Sequence, residues 1–409
     1  MSPAIIIFII TYILIGIQNI PGIHINRTAG ALLGAVAMVF FGVISVKEAY
    51  VAIDLDIMLF ILGMMIIIAY MELSGFFEMV ERWILKRAKS ASGLLFFLII
   101  SSGIASSFFM NDTICLLFTP IVLRIVKKAQ LNPIPYLIAL ATSSNIGSTM
   151  TIIGNPQNML IGLYSKIHFL EFLRILSPVS IIGLLINFLL IRLIYHRDLS
   201  GKGINLKFDE NKIVIQKRLF IASFITLILL LVFLCLGYSP QNVAITLACF
   251  LILAGADKPR KALEEVDWQL LLFFAGLFIV MHGMEKSGIT LSIFAYVKNY
   301  LSDGKISQIL NLTIGSTVLS NIVSNVPAVI LFSHFFAGLA NSKLAWLTLA
   351  MSSTLAGNLT IIGSVANIIV FESAEKEGVK VGFFEYLKLG LPLTIVTLVI
   401  GIATLLLFG

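Results

Sequence analysis

The stretch ALATSSNIGSTMTIIGNPQNMLI, residues 139–161, decides how this chain can fold. It lies in the apolar run 135–164, which is too long for one straight membrane span of ~20 residues. Asn155-Pro156 predicts a helix start, because asparagine caps helices and proline needs no N–H at the first helical position. We therefore predict two half-helices that meet near Gly154 at membrane depth. Irregular backbone there must be buried by protein or line a wet cavity, so the stretch is a predicted binding site.

The composition places the chain in a membrane. Hydrophobic residues make up 59% of the chain and charged residues 12%, too little charge to cover a soluble domain of 409 residues. We predict an all-α polytopic membrane protein whose net charge of +7 lies in cytoplasmic loops rather than in a nucleic-acid site. Cys115, Cys235 and Cys249 are scattered through apolar runs, so no metal site is predicted. No GxxxxGK[ST] motif occurs, so we expect the chain itself not to hydrolyse ATP.

The second half of the chain repeats the first. Matching stretches occur in the same order and at nearly constant offset, which makes chance an unlikely explanation. The pairs are DLDIMLFILGMMIIIAYMELSG from Asp54 with DWQLLLFFAGLFIVMHGMEKSG from Asp267, SSFFMNDTICLLF from Ser106 with SNIVSNVPAVILF from Ser320, and ATSSNIGSTMTIIGNPQN from Ala141 with AMSSTLAGNLTIIGSVAN from Ala350. The sequence thus predicts an internal duplication.

Each predicted repeat contains a segment split by a polar kink and a broken helix. The short arms of the split segments favour re-entrant hairpins, and two tight spans are the alternative. A hairpin returns to its own side, so each repeat has five crossings and the second must be inverted, as in many secondary transporters. The predicted parts are repeat 1 (1–195, hairpin 93–126, broken helix 135–165), a cytoplasmic connector (196–217) and repeat 2 (218–409, hairpin 306–340, broken helix 344–371).

The basic residues predict the orientation. Sorting lysines and arginines by loop gives an asymmetry of about threefold, and the positive-inside rule assigns the richer side to the cytoplasm. Clusters around Arg82–Lys89, Arg124–Lys128 and the connector belong to that side. We therefore expect a multi-pass protein of the cell (inner) membrane with both termini outside.

Four predicted half-helix starts converge near the midplane. Each presents unpaired N–H groups and a partial positive charge, which suits an anion. The accompanying amide side chains suit Na⁺ or a neutral polar solute instead. The alternative is that these are kinks satisfied by neighbouring serines and threonines. The predicted substrate-binding residues are Asn111, Thr113, Asn145, Gly154, Asn155, Asn158, Ser324, Asn325, Gly363, Ser364 and Asn367.

Asp112 is the predicted coupling residue. Acids inside a membrane span are costly and mark ion or proton routes. The alternative is that Asp112 caps the second arm of its hairpin. Val326 stands at the matching place in repeat 2, so a coupling role would be asymmetric. His334 could relay protons, although a hydrogen-bonded core histidine is the more common arrangement.

The motifs MNDTICLLFTPIV (from Met110) and SNIGSTMTIIGNPQNMLIG (from Ser144), with the paired helices that end in Ser-Gly, resemble the ion transporter superfamily. The arsenite-efflux and melanosomal P-protein branch is most similar, and citrate/dicarboxylate carriers are related to it. The resemblance implies two inverted repeats, elevator-like motion, H⁺ or Na⁺ as the coupling ion and no other cofactor. It leaves open a homodimer and a separate ATPase subunit as partners beyond the lipid bilayer and the solute.

The hairpin tips depart from the dicarboxylate carriers, in which both tips read Ser-Asn-Thr. Here they read Asn111-Asp112-Thr113 and Ser324-Asn325-Val326, which argues against a sodium-coupled dicarboxylate. We expect a secondary transporter of a small inorganic anion or metalloid, arsenite or antimonite first, coupled to protons. The alternatives are a Na⁺/H⁺ antiporter or a carboxylate or other anion carrier on the same scaffold, and, from another class, a channel. Protease motifs such as HExxH are absent, so no enzyme is predicted.

Overall fold

The computed structural model describes residues 3–16, 26–200, 215–254, 259–288, 304–333, 335–336 and 341–409. In these ranges the protein is all-helical. A 3₁₀ turn at Ile361–Gly363 separates the eighteenth and nineteenth helices. The helices are α1 (Pro3–Gly16), α2 (Arg27–Phe40), α3 (Val46–Ala52), α4 (Leu55–Leu73), α5 (Phe76–Arg87), α6 (Ala91–Phe108), α7 (Asn111–Lys128), α8 (Ile134–Ser148), α9 (Pro156–Ser165), α10 (Phe169–Ile194), α11 (His196–Leu199), α12 (Lys217–Cys235), α13 (Pro240–Ala254), α14 (Pro259–Glu264), α15 (Trp268–Lys286), α16 (Lys305–Val323), α17 (Asn325–Ser333), α18 (Ser342–Ala356), α19 (Val365–Lys376) and α20 (Phe383–Phe408).

Seven of the described helices are long and apolar enough to cross a membrane: α4, α6, α10, α12, α15, α16 and α20. This confirms the predicted all-helical, multi-span class. The short helices α3, α5 and α14 were not predicted, because charged residues interrupt their apolar pattern. Residues 201–214 of the connector and His334 lie outside the described residues.

The broken helix forms as its sequence predicts. Helix α9 begins at Pro156, and the side chain of Asn155 caps it by accepting a hydrogen bond from the Asn158 amide at 2.8 Å. The interruption runs over residues 149–155, wider than a single bend at Gly154. A Cβ at Gly154 would lie 2.3 Å from the Ser148 carbonyl oxygen, so the chain folds back too tightly for any other residue.

The two halves of the chain pack against each other through two matching helix crossings, which together we call the clasp. Helix α4 packs on α13, and its counterpart α15 packs on α2. A Cβ on Gly63 would lie 2.6 Å from the Ala244 carbonyl carbon, and a Cβ on Gly276 would lie 2.8 Å from that of Ala31. Both pairs are related by the same offset of 213 residues (63 to 276, 31 to 244). The duplication therefore appears in the packing as one helix crossing made twice.

The long helices α10 and α20 also correspond, with 26 residues each. They pack together and run antiparallel, since Tyr195 at the end of α10 donates to Glu385 in the first turn of α20 at 2.8 Å. At the other end, Glu171 in the first turn of α10 pairs with Lys343 of α18. Antiparallel counterparts are what an inverted repeat requires. The inversion of the second repeat, the orientation of the repeats in a membrane and their boundaries stay predictions.

The close approach at Gly63 makes a stability prediction. Gly63→Ala places a methyl group against the backbone of α13, and such overpacking costs about 1–3 kcal/mol. We expect a lower thermal denaturation midpoint in detergent. The control is Gly315→Ala on α16, where a Cβ meets only Phe332 at 3.5 Å. There the gain in helix propensity should leave the midpoint unchanged or slightly higher. Equal midpoints for the two variants would show that the backbones of α4 and α13 do not approach as closely as described.

Candidate functional site

Four half-helices begin at one place inside the bundle: α7 at Asn111, α9 at Pro156, α17 at Asn325 and α19 at Val365. The Asn111 amide donates to the Gly154 carbonyl at 3.0 Å, which fixes the tip between α6 and α7 at the level of the break between α8 and α9. In repeat 2, the Asn325 side chain, oriented with its Nδ2 toward the carbonyls, donates to Ser353 (3.0 Å) and Gly363 (3.3 Å). Each tip is thereby tied to the break of its own repeat.

Asn145 is the centre of the polar cluster and is fully buried. Its Oδ1 accepts from Asn111 Nδ2 and from Ser364 Oγ, both at 3.0 Å. Its Nδ2 donates to Asn358 Oδ1 at 3.0 Å and to Asn367 Oδ1 at 3.1 Å. We call Asn145 and these four partners the hub. One side chain of repeat 1 thus binds three residues of repeat 2.

Two asparagines brace the breaks. Asn158 Nδ2 donates to the carbonyls of Ser148 (3.1 Å) and Thr151 (3.0 Å). Asn367 Nδ2 donates to the carbonyls of Gly357 (2.7 Å) and Thr360 (3.0 Å). The two sets are related residue by residue. These amides satisfy carbonyls that the interrupted helices leave without an intrahelical partner.

Four further polar residues of this site were not among the predicted substrate-binding residues: Gln157, Thr354, Asn358 and Tyr386. Asn155 Nδ2 and Gln157 Nε2 lie 3.4 and 3.3 Å from Thr354 Oγ1. The Tyr386 hydroxyl accepts from Asn367 Nδ2 at 3.0 Å. Asn358 and Thr354 lie within the duplicated motif of repeat 2, so the motif could have identified them as residues of the site. Tyr386 lies in an apolar helix whose sequence gives no such signal.

Some buried polar atoms of this site have no partner among the described residues. They are Asn111 Oδ1, Asn158 Oδ1 and Asn358 Nδ2. Leaving such a group unpaired costs about 1–3 kcal/mol, so each calls for an explanation such as a ligand or an ordered water. Two acceptors and one donor suit a small solute that carries both hydroxyl groups and oxygen atoms.

The backbone at Ser324 is strained. Its φ of 76° and ψ of 161° fall in a region that only glycine adopts readily. Such a conformation costs about 1–3 kcal/mol and occurs most often at binding sites and in segments that change conformation. Ser324 immediately precedes Asn325, so the strain lies at the tip of the second hairpin.

Asp112 and Thr113 stand apart from the hub. Both are half-buried in the first turn of α7, and no hydrogen bond to the Asp112 carboxylate occurs within the described part of the chain. Met110 occupies the cap position, so the alternative that Asp112 caps the helix is wrong. The coupling and substrate-binding roles of these residues stay predictions.

Metal ligation is not evident in this region. No group of three or more His, Cys, Asp or Glu side chains among the described residues could hold a metal ion. Cys115, one turn beyond Asn111, is buried as a single thiol.

The sequence of this chain is similar to that of a known protein family. A profile of the citrate transporter family, CitMHS, matches residues 5–356. The chain belongs to this family. It is therefore an integral membrane transporter and not an enzyme, and its resemblance to the ion transporter superfamily is confirmed.

Several curated proteins are similar to this member of the family over nearly their whole length. The silicon efflux transporter LSI3 of Oryza sativa subsp. japonica is 31% identical, with 94% of this chain and 93% of that protein covered. The putative transporter arsB of Dictyostelium discoideum is 28% identical, with 99% and 92% covered. The 46 kDa membrane protein of Mycobacterium leprae is 29% identical, with 97% and 96% covered.

Two solved transporters share the fold of this family member. The YdaH transporter of Alcanivorax borkumensis superimposes with a TM-score of 0.58 at 12% identity, covering 100% of this chain and 98% of that one. MtrF of Neisseria gonorrhoeae gives 0.52 at 12% identity, covering 99% and 94%. At this identity the likeness concerns the fold alone.

The contacts of the hub predict how the loss of Asn145 changes the stability of the protein. Asn145→Ala removes one amide that serves four buried partners, each of which costs about 1–3 kcal/mol when unpaired. We expect a clear fall of the denaturation midpoint in detergent. The control is Asn242→Ala on α13, where the exposed side chain only donates to Ser239. A midpoint for Asn145→Ala as high as that of the control would show that the hub does not join the repeats.

Proposed function

We propose that this protein is a secondary active transporter that exports a small inorganic anion or metalloid hydroxide, with arsenite or antimonite as the first candidates. The observation that carries the proposal is the hub, a fully buried polar cluster that joins the two repeats and includes the starts of the half-helices α7 and α19. Transporters place their substrates at such interrupted helices because the free backbone groups there can bind a solute.

The chemistry of the hub supports a small hydroxylated solute. None of the five residues that form it is charged, and two of their buried atoms lack a partner among the described residues, the acceptor Asn111 Oδ1 and the donor Asn358 Nδ2. A neutral or singly charged metalloid hydroxide offers matching oxygen atoms and O–H groups, while the half-helix N-termini favour a partial negative charge. The printed names of two relatives, a silicon efflux transporter and a putative arsB transporter, point to the same class.

Asp112 is the proposed coupling group. It is half-buried one residue beyond the hub member Asn111 and has no hydrogen-bonding partner among the described residues, so it can exchange a proton without breaking a fixed contact. Its counterpart Val326 cannot titrate. One repeat would therefore carry the proton and both would hold the solute.

The proposed movement is of the elevator type. The half-helices that bear the hub would move together against the clasp of α2, α4, α13 and α15. The proposed location is an inner membrane with both termini outside, as the charge distribution of the sequence predicts. A homodimer and a separate ATPase subunit remain predictions of the resemblance.

A Na⁺/H⁺ antiporter is the second candidate. Asn111 Oδ1 and Asn158 Oδ1 are buried amide oxygens without partners, and oxygen atoms of this kind coordinate Na⁺ in transporters. This candidate requires Na⁺ flux with no anion present.

Transport by the purified protein in proteoliposomes tests the proposal. With arsenite inside and an imposed pH gradient, we expect uphill arsenite movement that stops when the gradient is collapsed. The same assay is repeated with antimonite and silicic acid. Na⁺-dependent dissipation of the pH gradient without movement of any of these solutes would favour the antiporter.

Asp112→Asn tests the coupling. The amide cannot carry a proton, so we expect loss of uphill, pH-driven transport while downhill exchange persists. Asp56→Asn is the matched control, because Asp56 is an exposed acid in the first turn of α4. Uphill transport by Asp112→Asn at the rate of the control would refute the coupling role. A channel would also conduct its solute unchanged after this substitution, but it would show no uphill transport in any variant.

A further inference from the structure

A large cavity opens between the C-terminal halves of α7 and α19. Its volume is about 880 Å³. Apolar residues form its wall and charged residues stand among them toward the helix ends. The lining residues on α7 and the loop after it are Leu116, Pro120, Leu123, Arg124, Val126, Lys127, Gln130, Leu131 and Pro133, and on and beyond α19 Ser373, Lys376, Glu377 and Val379.

The two helices that form the cavity lead to the hub. Helices α7 and α19 pack against each other, and both begin at the hub, at Asn111 and beside Ser364. Exposed residues of α7 form a stripe with a spacing of four residues, Leu116, Pro120, Arg124 and Lys128. The same spacing extended backward reaches Asp112. The cavity therefore follows the helix face that leads from the mouth to the predicted coupling residue.

The position in repeat 2 that corresponds to Leu116 is buried. Leu116 is 55% exposed, whereas Ile330, its counterpart at the same offset as Asn111 and Asn325, is 1% exposed. The two corresponding positions thus differ in accessibility. The structure is open at the end of the bundle that carries Arg124 and Lys127, the end that the charge distribution assigns to the cytoplasm.

The mouth of the cavity is basic. Three cations, Arg124, Lys127 and Lys376, and one anion, Glu377, line it, so its formal charge is 3 − 1 = +2. Arg124 lies 3.7 Å from Glu81 of α5, which offsets part of its charge. Lys127 and Lys376 have no ion pair in the described part of the chain. A cleft whose lining carries a net positive charge raises the local concentration of anions and their rate of arrival.

We propose that this cavity is an anion-selecting vestibule through which the transported solute reaches the hub as an oxyanion. The identity of the solute rests on the proposed function. The inference adds that the species transported is the anionic form of that solute. The selectivity of the vestibule itself is a property of the cavity and can be measured without transport.

The test uses thiol labelling of Leu116→Cys in the full-length protein, in a background of Cys235→Ser and Cys249→Ser that keeps the buried Cys115. The rates of an anionic and a cationic methanethiosulfonate reagent are compared in detergent. We expect the anionic reagent to react faster relative to its rate with free thiol. Lys127→Gln with Lys376→Gln should lower the ratio of the two rates by about threefold or more, and high salt should do the same.

The matched control is Lys380→Gln with Lys388→Gln. Neither lysine lines the cavity, and each is paired with an acid, Lys380 with Glu375 and Lys388 with Glu385. The control should leave the rate ratio unchanged. Equal effects of the two double variants, or a cysteine at 116 that neither reagent reaches, would overturn the proposal. Labelling requires no turnover, so this outcome is separate from failure of the transport assay.

The anionic group could also belong to a lipid. Labelling is therefore repeated in liposomes of phosphatidylcholine with and without phosphatidylglycerol. If a headgroup occupies the vestibule, phosphatidylglycerol slows both reagents and the proposal of a free anion is overturned. If the cationic reagent reacts no more slowly with phosphatidylglycerol present, the vestibule is open to soluble anions as proposed.

Discussion

The structure depends on the need to satisfy backbone groups where helices are broken inside the bundle. Each break frees carbonyl and amide groups that lipid cannot hydrogen-bond. Asn158 and Asn367 take up the carbonyls in the two repeats by the same pair of contacts. Asn145 then joins the two braced breaks. The amide side chains that line the predicted substrate site are therefore also the groups that allow the site to exist, which limits how far any of them can be replaced.

The scaffold around the site is held in a different way. Gly63 and Gly276 remove side chains from two equivalent helix crossings, so that backbones approach within van der Waals distance. Close approach of this kind gains dispersion energy without polar groups. The site is polar and strained at Ser324, while the clasp is apolar and tightly packed. This division suits a protein in which one part changes its contacts during transport and the other part does not.

The sequence was informative where the signal is local. The Asn155-Pro156 start, the length of the apolar runs and the duplicated motifs could be read directly, and the helices follow them. The contacts of Asn145 could not be read, because three of its four partners are more than two hundred residues away and no spacing rule links them. Helices α3, α5 and α14 were missed because short amphipathic helices at a membrane surface have too many charges to stand out by hydropathy. The cap at Met110 was missed because an acid beside a helix start is the more common cap.

One pair of contacts has a consequence for the history of the chain. Ser364 Oγ donates to Asn145, and the equivalent contact is from Asn155 Nδ2 to Thr354 Oγ1. The amide and the hydroxyl have exchanged places between the two copies. Two copies of repeat 1 would pair amide with amide at both places, and two copies of repeat 2 would pair hydroxyl with hydroxyl. The two copies have therefore diverged in a complementary way, and neither half can be replaced by a second copy of the other without losing both amide–hydroxyl contacts.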